Sequence, residues 1–277
     1  MEQAAAQLAK EVPTLIDSHA HLDFEVFDED RARVLERARE RGVREIISIG
    51  TRPETSAAAL KLAESDPLIF ASAGLHPLSA HLYEDEAARA EAAAELAALM
   101  RAPRVVAVGE TGLDYYYNPE HGEVQRRWFR WHLQESAASG RPIIVHIRDA
   151  FEDALRISAE EGLGSGGVVH CFTGGPEEAA AALELGYFIS LSGIVTFKSA
   201  KALRRAVPEI PLDRLLVETD SPYLAPTPHR GSRNEPAFVV ETAREVARLK
   251  GVSYEALCAA TQENTRALFN LPHRAQS

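Results

Sequence analysis

Two spacings of apolar residues alternate along the chain. Short, nearly continuous runs at 15–21, 45–50, 68–75, 104–109, 142–147, 167–172, 187–191 and 215–219 read as strands buried on both faces. Between them, residues 28–41, 53–64, 84–100, 120–139, 150–161, 177–185, 199–206 and 236–250 read as helices, and 254–269 adds one more. The first helix, for instance, carries Val34, Leu35 and Ala38 at helical spacing and stops at Gly42. About eight strand–helix units predict an α/β fold, a TIM (β/α)8 barrel in a single domain. The rival is an open doubly wound sheet, which would bind at one crevice where the strand order reverses. Residues 15–272 form the expected barrel and 1–14 an N-terminal extension of unexplained role. No domain-sized linker interrupts the pattern. The stretch 226–236, with Pro228, Gly231 and Asn234, is a long loop after the last strand, where function often resides.

Composition adds boundaries rather than direction. A chain of 277 residues, 45% hydrophobic and 26% charged, has ample apolar material for one barrel core. Two cysteines, Cys171 and Cys258, allow neither a disulfide framework nor a cysteine-rich zinc module, which fits a reducing compartment. The first residues lack the apolar core of a signal peptide, and no apolar run approaches membrane-spanning length. The expectation is a cytoplasmic protein that engages no membrane. A net charge of −11 argues against broad, sequence-independent gripping of duplex DNA, though not against a phosphate held locally.

The polar residues that interrupt the apolar runs cluster at strand ends. Asp17, His19 and His21 stand two residues apart in the first strand, where alternate side chains share a face. An H-x-H alone also fits two hydrogen-bonded histidines. Further along, the strand ends supply Glu110, His146, His170 and Asp220. In a parallel barrel these ends meet on one face, where active sites form. Imidazole and carboxylate ligands without thiolate suit Zn, Mn, Fe or Co, and more carboxylate favours Mg. Six such side chains exceed what one open catalytic ion needs, which points to two divalent ions (Mg, Mn or Zn), with Glu110 able to give an oxygen to each.

The segments carrying these residues have a familiar look. Asp17-Ser18-His19-Ala20-His21-Leu22-Asp23, Gly74-Leu75-His76-Pro77, Gly109-Glu110-Thr111-Gly112-Leu113-Asp114, His170-Cys171-Phe172-Thr173-Gly174 and Glu218-Thr219-Asp220-Ser221-Pro222-Tyr223-Leu224 resemble the TatD family of metal-dependent deoxyribonucleases. The loop Arg230 to Pro236 and the segment Leu191 to Lys198 resemble it too, so the similarity runs from about Ile16 to Phe269. The resemblance implies a barrel hydrolase in which His19, His21, Glu110 and Asp220 hold one ion and Glu110, His146 and His170 the other. It further implies His76 as a contact to the scissile phosphate. The fifth-strand segment departs slightly, with Ile147 between His146 and Arg148 where the family often has a small residue.

Roles follow from position and chemistry. Asp220 is expected to accept the proton of the attacking water, although an Asp after a strand also serves as a helix cap. Glu218 and Asp17 are expected to orient ligands or bind substrate, with a buried ion pair equally compatible. Arg148 and Arg233 are substrate-binding candidates, Arg148 as a bidentate phosphate partner. Cys171 is expected to pack, and His81, His121, His132, His229 and His273 to serve packing or solvent. The expected function is a two-metal deoxyribonuclease, a 3′–5′ exonuclease acting as a monomer on single-stranded DNA in repair or degradation. Its DNA preference comes from the resemblance, since the ligand set alone serves other hydrolases, such as a D-aminoacyl-tRNA deacylase. A non-catalytic metal- and nucleic-acid-binding protein is the rival from outside enzymology.

Overall fold

The structure, a computed structural model, describes residues 13–272. Most of the expected extension, residues 1–12, lies outside the described residues, as does His273. Eight strands pair in parallel in strict sequence order: β1 (Leu15–Ala20), β2 (Val43–Ser48), β3 (Ile69–Ala73), β4 (Val105–Asp114), β5 (Ile143–Arg148), β6 (Gly167–Val169), β7 (Phe188–Leu191) and β8 (Leu215–Val217). The helices are α1 (Arg31–Glu40), α2 (Pro53–Ser65), α3 (Glu86–Leu99), α4 (Gly122–Ser139), α5 (Phe151–Glu161), α6 (Pro176–Glu184), α7 (Lys201–Ala206), α8 (Val239–Lys250) and α9 (Tyr254–Phe269). This is the expected TIM barrel, not an open sheet. Closure comes just past the end of β8, where Ala20 bridges Ser221 in parallel and the amides of His21 and Asp220 bond Ser221 O and His19 O.

Burial explains why the strand runs are so apolar. Ile16, Ile47, Phe70, Ala107, Ile144, Val168 and Leu216 come from seven different strands yet form one cluster with Leu268, Phe269 and Leu271. Residues on seven strands meet only inside the barrel, so this cluster is its filled interior, and the end of α9 plugs its floor. A second, larger cluster lies between the strands and the surrounding helices. At the floor the buried Glu45 of β2 meets Arg266 of α9 at 2.6 Å. The interior polar residues therefore gather at the opposite end, above the apolar filling.

Element boundaries differ from expectation where polar residues carry strand structure. β4 continues five residues past Gly109, through Glu110 to Asp114, because Thr111 to Asp114 pair in register with Val145 to Arg148. β6 and β8 stop sooner than their apolar runs suggest, so His170 sits just beyond its strand rather than within it, and Asp220 stands past the end of β8. The long loop 226–236 is fastened to α1. Arg233 forks onto Asp30 at 2.8 and 2.7 Å, and Arg37 pairs with Glu235 at 2.6 Å.

Candidate metal centre

Glu110 is the hub of the barrel mouth. Its carboxylate is buried, and its two oxygens face different histidines. Oε2 stands 3.3 Å from His19 Nε2 and 3.9 Å from His21 Nε2, while Asp220 Oδ1 lies 3.7 and 3.3 Å from the same two nitrogens. Oε1 stands 2.7 Å from His170 Nε2, 3.3 Å from His146 Nδ1 and 3.3 Å from His76 Nε2. Separations of this size are the edges of a ligand polyhedron whose atoms lie about 2.0–2.2 Å from a shared centre. The six residues expected as ligands are thus brought together at one end of the barrel, and His76 joins the Oε1 side.

The donor set fits a cation on physical grounds. His19 Nε2, His19 Nδ1, His21 Nδ1 and Glu110 Oε2 are buried atoms without a hydrogen-bond partner. Leaving such groups unpaired is costly, and a cation between His19 Nε2 and Glu110 Oε2, 3.3 Å apart, would satisfy both at once. His19, His21 and Asp220 offer donor atoms within 4.8 Å of one another, as do His76, Glu110 and His146. Electrostatics agree with this crowding. Burial pushes the Glu110 carboxyl up, but His170, His76 and His19 outweigh it and hold the group well below its usual range. Burial likewise opposes charge on Asp220, and His21 and His19 more than compensate. The site keeps its carboxylates ionised.

Behind the ligand candidates stand residues that aim them. His170 Nδ1 lies 3.4 Å from Glu218 Oε1, and the same oxygen accepts the amide of Cys171 at 2.7 Å. Glu218 is fully buried, so its reach is to His170 rather than to the cavity. His19, His170 and Glu218 also approach as a metal-like trio. His170 thus stands between two carboxylates, with Nε2 2.7 Å from Glu110 Oε1 and Nδ1 3.4 Å from Glu218 Oε1. Asp17 turns sideways, accepting the amide and hydroxyl of Thr219 at 2.8 and 2.6 Å and tying β1 to the chain beside Asp220. Burial raises its pKa to about 8 against those two hydrogen bonds. It does not continue the face of His19, because β1 shifts register between Asp17 and Ala20.

Sequence reasoning missed two participants. Asp114 Oδ2 stands 3.1 Å from His146 Nε2, and its Oδ1 accepts the amides of Tyr116 and Tyr117 at 3.0 and 2.9 Å. Its signal was its place in the Gly109–Asp114 segment, but its function depends on the β4–β5 register. His132 of α4 was set aside with the packing histidines. It is fully buried, accepts the amide of Leu75 at 3.0 Å through Nε2, and approaches Trp128 O at 2.7 Å and Thr111 at 3.2 Å through Nδ1. It therefore braces the chain next to His76 and next to Glu110.

The remaining candidates lie further out. Arg148 is exposed at the cavity wall, its guanidinium over the rings of Tyr116 and Tyr117 at 4.2 and 4.6 Å. Arg233 is engaged by Asp30 and by Val26 O. Cys171 is half-buried on the cavity wall with Sγ 3.2 Å from Ser192 Oγ. A positive φ of 43° there breaks the strand alternation that predicted packing. The cavity holds about 1060 Å³ and includes His21, His76, Glu110, His146, His170 and Asp220 in its lining. No helix among the described residues is long and apolar enough to cross a membrane.

Comparison with known proteins agrees with this site. The family model described as TatD related DNase matches residues 16–270. An uncharacterized metal-dependent hydrolase of Escherichia coli strain K12, YcfH, is 46% identical over 263 residues, covering 93% of this chain and 96% of its own. The protein named 3′-5′ ssDNA/RNA exonuclease TatD from Edwardsiella piscicida is 37% identical, covering 93% of this chain and all of its own. Among solved structures, the TatD homolog YjjV of E. coli K12 superposes with a TM-score of 0.87 at 31% identity, covering 94% of this chain and all of that one.

Proposed function

This chain belongs to the TatD family of metal-dependent hydrolases, and from that membership we propose a phosphodiesterase that trims single-stranded DNA from its 3′ end. The exonuclease relative supports the substrate. One observation carries the reading: the buried Glu110 carboxylate presents each oxygen to a separate set of imidazoles. We assign His19, His21, Glu110 and Asp220 to one divalent ion, and Glu110, His146 and His170 to a second, within one barrel domain spanning 15–272. Held there, such a pair would supply Lewis acidity for an attacking water near neutral pH. Asp220, kept ionised by His21 and His19, accepts the proton of the attacking water. His76 lines the cavity on the second-ion side and contacts the scissile phosphate there. Glu218 and Asp114 hold the rings of His170 and His146 so that their opposite nitrogens stay aimed at Glu110. Arg148 offers the substrate a positive charge without a carboxylate partner among the described residues, and the chain works as a monomer in the cytoplasm, in DNA repair or degradation.

The test is incubation of purified protein with end-labelled single-stranded DNA, with and without Mg or Mn, alongside an aminoacyl-tRNA control. Metal-dependent release of nucleotides from the 3′ end is the expected result. Deacylation of the tRNA with intact DNA would replace this reading by the deacylase one. Binding of DNA and metal without turnover would point to the non-catalytic alternative.

A further inference from the structure

The cavity mouth carries aromatic side chains in two places. After β1 and β8, Phe24 and Tyr223 meet edge to face at 6.0 Å, with Tyr223 54% exposed. After β4, Tyr117 is 56% exposed, and Arg148 at the end of β5 lies over its ring. All four residues line the same cavity as the ligand candidates. Strand order 1 to 8 around a closed barrel sets the β1–β8 seam opposite the β4–β5 pair. The two aromatic groups therefore stand on opposite sides of the cavity mouth, which Glu110 also lines.

Exposed tyrosines are ordinarily a liability, and both platforms are held in place. Asp114 fixes the backbone of Tyr117 while its other oxygen faces His146, so this platform is tied to the ligand set. Tyr223 is held by its amide on Asp220 O and by Asn234 on its carbonyl. Arg148 stacks on tyrosine and has no carboxylate partner among the described residues. A cation on an aromatic face beside an anion-binding site suits a base and its phosphate together. At about 1060 Å³ the cavity also slightly exceeds the roughly 300–1,000 Å³ usual for one small ligand.

We propose that the barrel mouth carries two nucleobase subsites, Tyr117 with Arg148 on one side and Tyr223 with Phe24 on the other. They stack the terminal and penultimate bases of a single strand and so set the phosphate between those bases over Glu110. The inference rests on the phosphodiesterase reading above and adds the residues that select an unpaired strand. Bases in a duplex are stacked on each other and cannot occupy platforms on opposite walls. Stacking is indifferent to base identity, so the subsites select single strands without selecting sequence.

The test pairs Tyr117→Ala and Tyr223→Ala with oligonucleotides bearing one abasic residue at the terminal or the penultimate position. Single-turnover cleavage at subsaturating protein is the readout, and wild-type hydrolysis of bis(4-nitrophenyl) phosphate with Mn is the control. Each alanine variant should slow cleavage of ordinary DNA by roughly 5- to 150-fold, the usual size of one lost base–aromatic stack. An abasic residue at the matching position should erase that penalty, with the two variants matching different positions. Tyr117→Phe and Tyr223→Phe should retain cleavage, since the ring and not the hydroxyl is used. Penalties that persist in full on both abasic substrates, or no penalty on ordinary DNA, would overturn the subsites alone. A wild-type protein that cleaves neither the oligonucleotides nor the small diester would overturn the phosphodiesterase reading and the subsites with it.

Discussion

Single residues in this barrel have sharply different duties despite similar chemistry. Asp17 lies in β1, and Glu218 and Asp220 follow the neighbouring β8, yet only Asp220 reaches the cavity. Asp220→Asn keeps the shape and loses the proposed proton acceptor, so single-turnover cleavage should fall by about 10²–10⁴ while DNA binding largely remains. Near-wild-type cleavage by a correctly metallated variant would place the base elsewhere. His132 shows the opposite case, a histidine that works only when neutral. Burial lowers its pKa to about 4 from 6.5, against the bond to Trp128 O. A depressed folded pKa means the His132 contribution is complete above pH 6.5 and drains away as pH falls toward 4. The loss amounts to about 3 kcal/mol by linkage. Urea unfolding of the wild type and His132→Gln should therefore show a stability difference that shifts by about that amount between pH 7 and pH 4. A pH-independent difference would contradict the assignment.

At the scale of elements, most of the barrel was legible because buried strands must be apolar and amphipathic helices must be periodic. The bounds of α2, α4, α5 and α9 fall within two residues of those expected from spacing alone. β4 was not fully legible. Its second half, Glu110 to Asp114, is polar and glycine-containing and falls outside the apolar run that ends at Gly109, but pairing with β5 makes it strand. Gly112 is the device that permits this. Its φ is +133°, and a Cβ there would lie 2.1 Å from His146 O, so only glycine lets β4 press against β5 beside the ligands. Gly112→Ala should cost at least about 2 kcal/mol in urea unfolding from backbone strain and contact. An unchanged midpoint would mean that β4 tolerates movement. Asp114 escaped notice for the same reason, since its pairing with His146 exists only in that register.

The whole molecule is an acidic protein, net charge −11, proposed to bind a polyanion. That conflict is resolved locally. Many arginines are paired, as Arg233 is with Asp30, whereas Arg148 at the cavity has no carboxylate partner among the described residues. With one or two cation–phosphate contacts, affinity for a single strand should fall only gently with salt, with a log–log slope of about −0.7 to −1.4. A much steeper slope in fluorescence anisotropy would reveal a basic track elsewhere. The ligand candidates were legible from their recurrence at strand ends, and so was the reading of Glu110 as shared between two sets, while the distances that set Oε2 by His19 and Oε1 by His170 needed the closed barrel. That sharing is the central claim, and metal content per chain after dialysis tests it most directly. Wild-type protein should retain two divalent ions, and Glu218→Gln, which alters only the support of His170, most of them. Glu110→Gln should lose metal from both positions, because the amide gives up an anionic oxygen that each set uses. Equal metal retention by Glu110→Gln and Glu218→Gln would contradict a bridging Glu110.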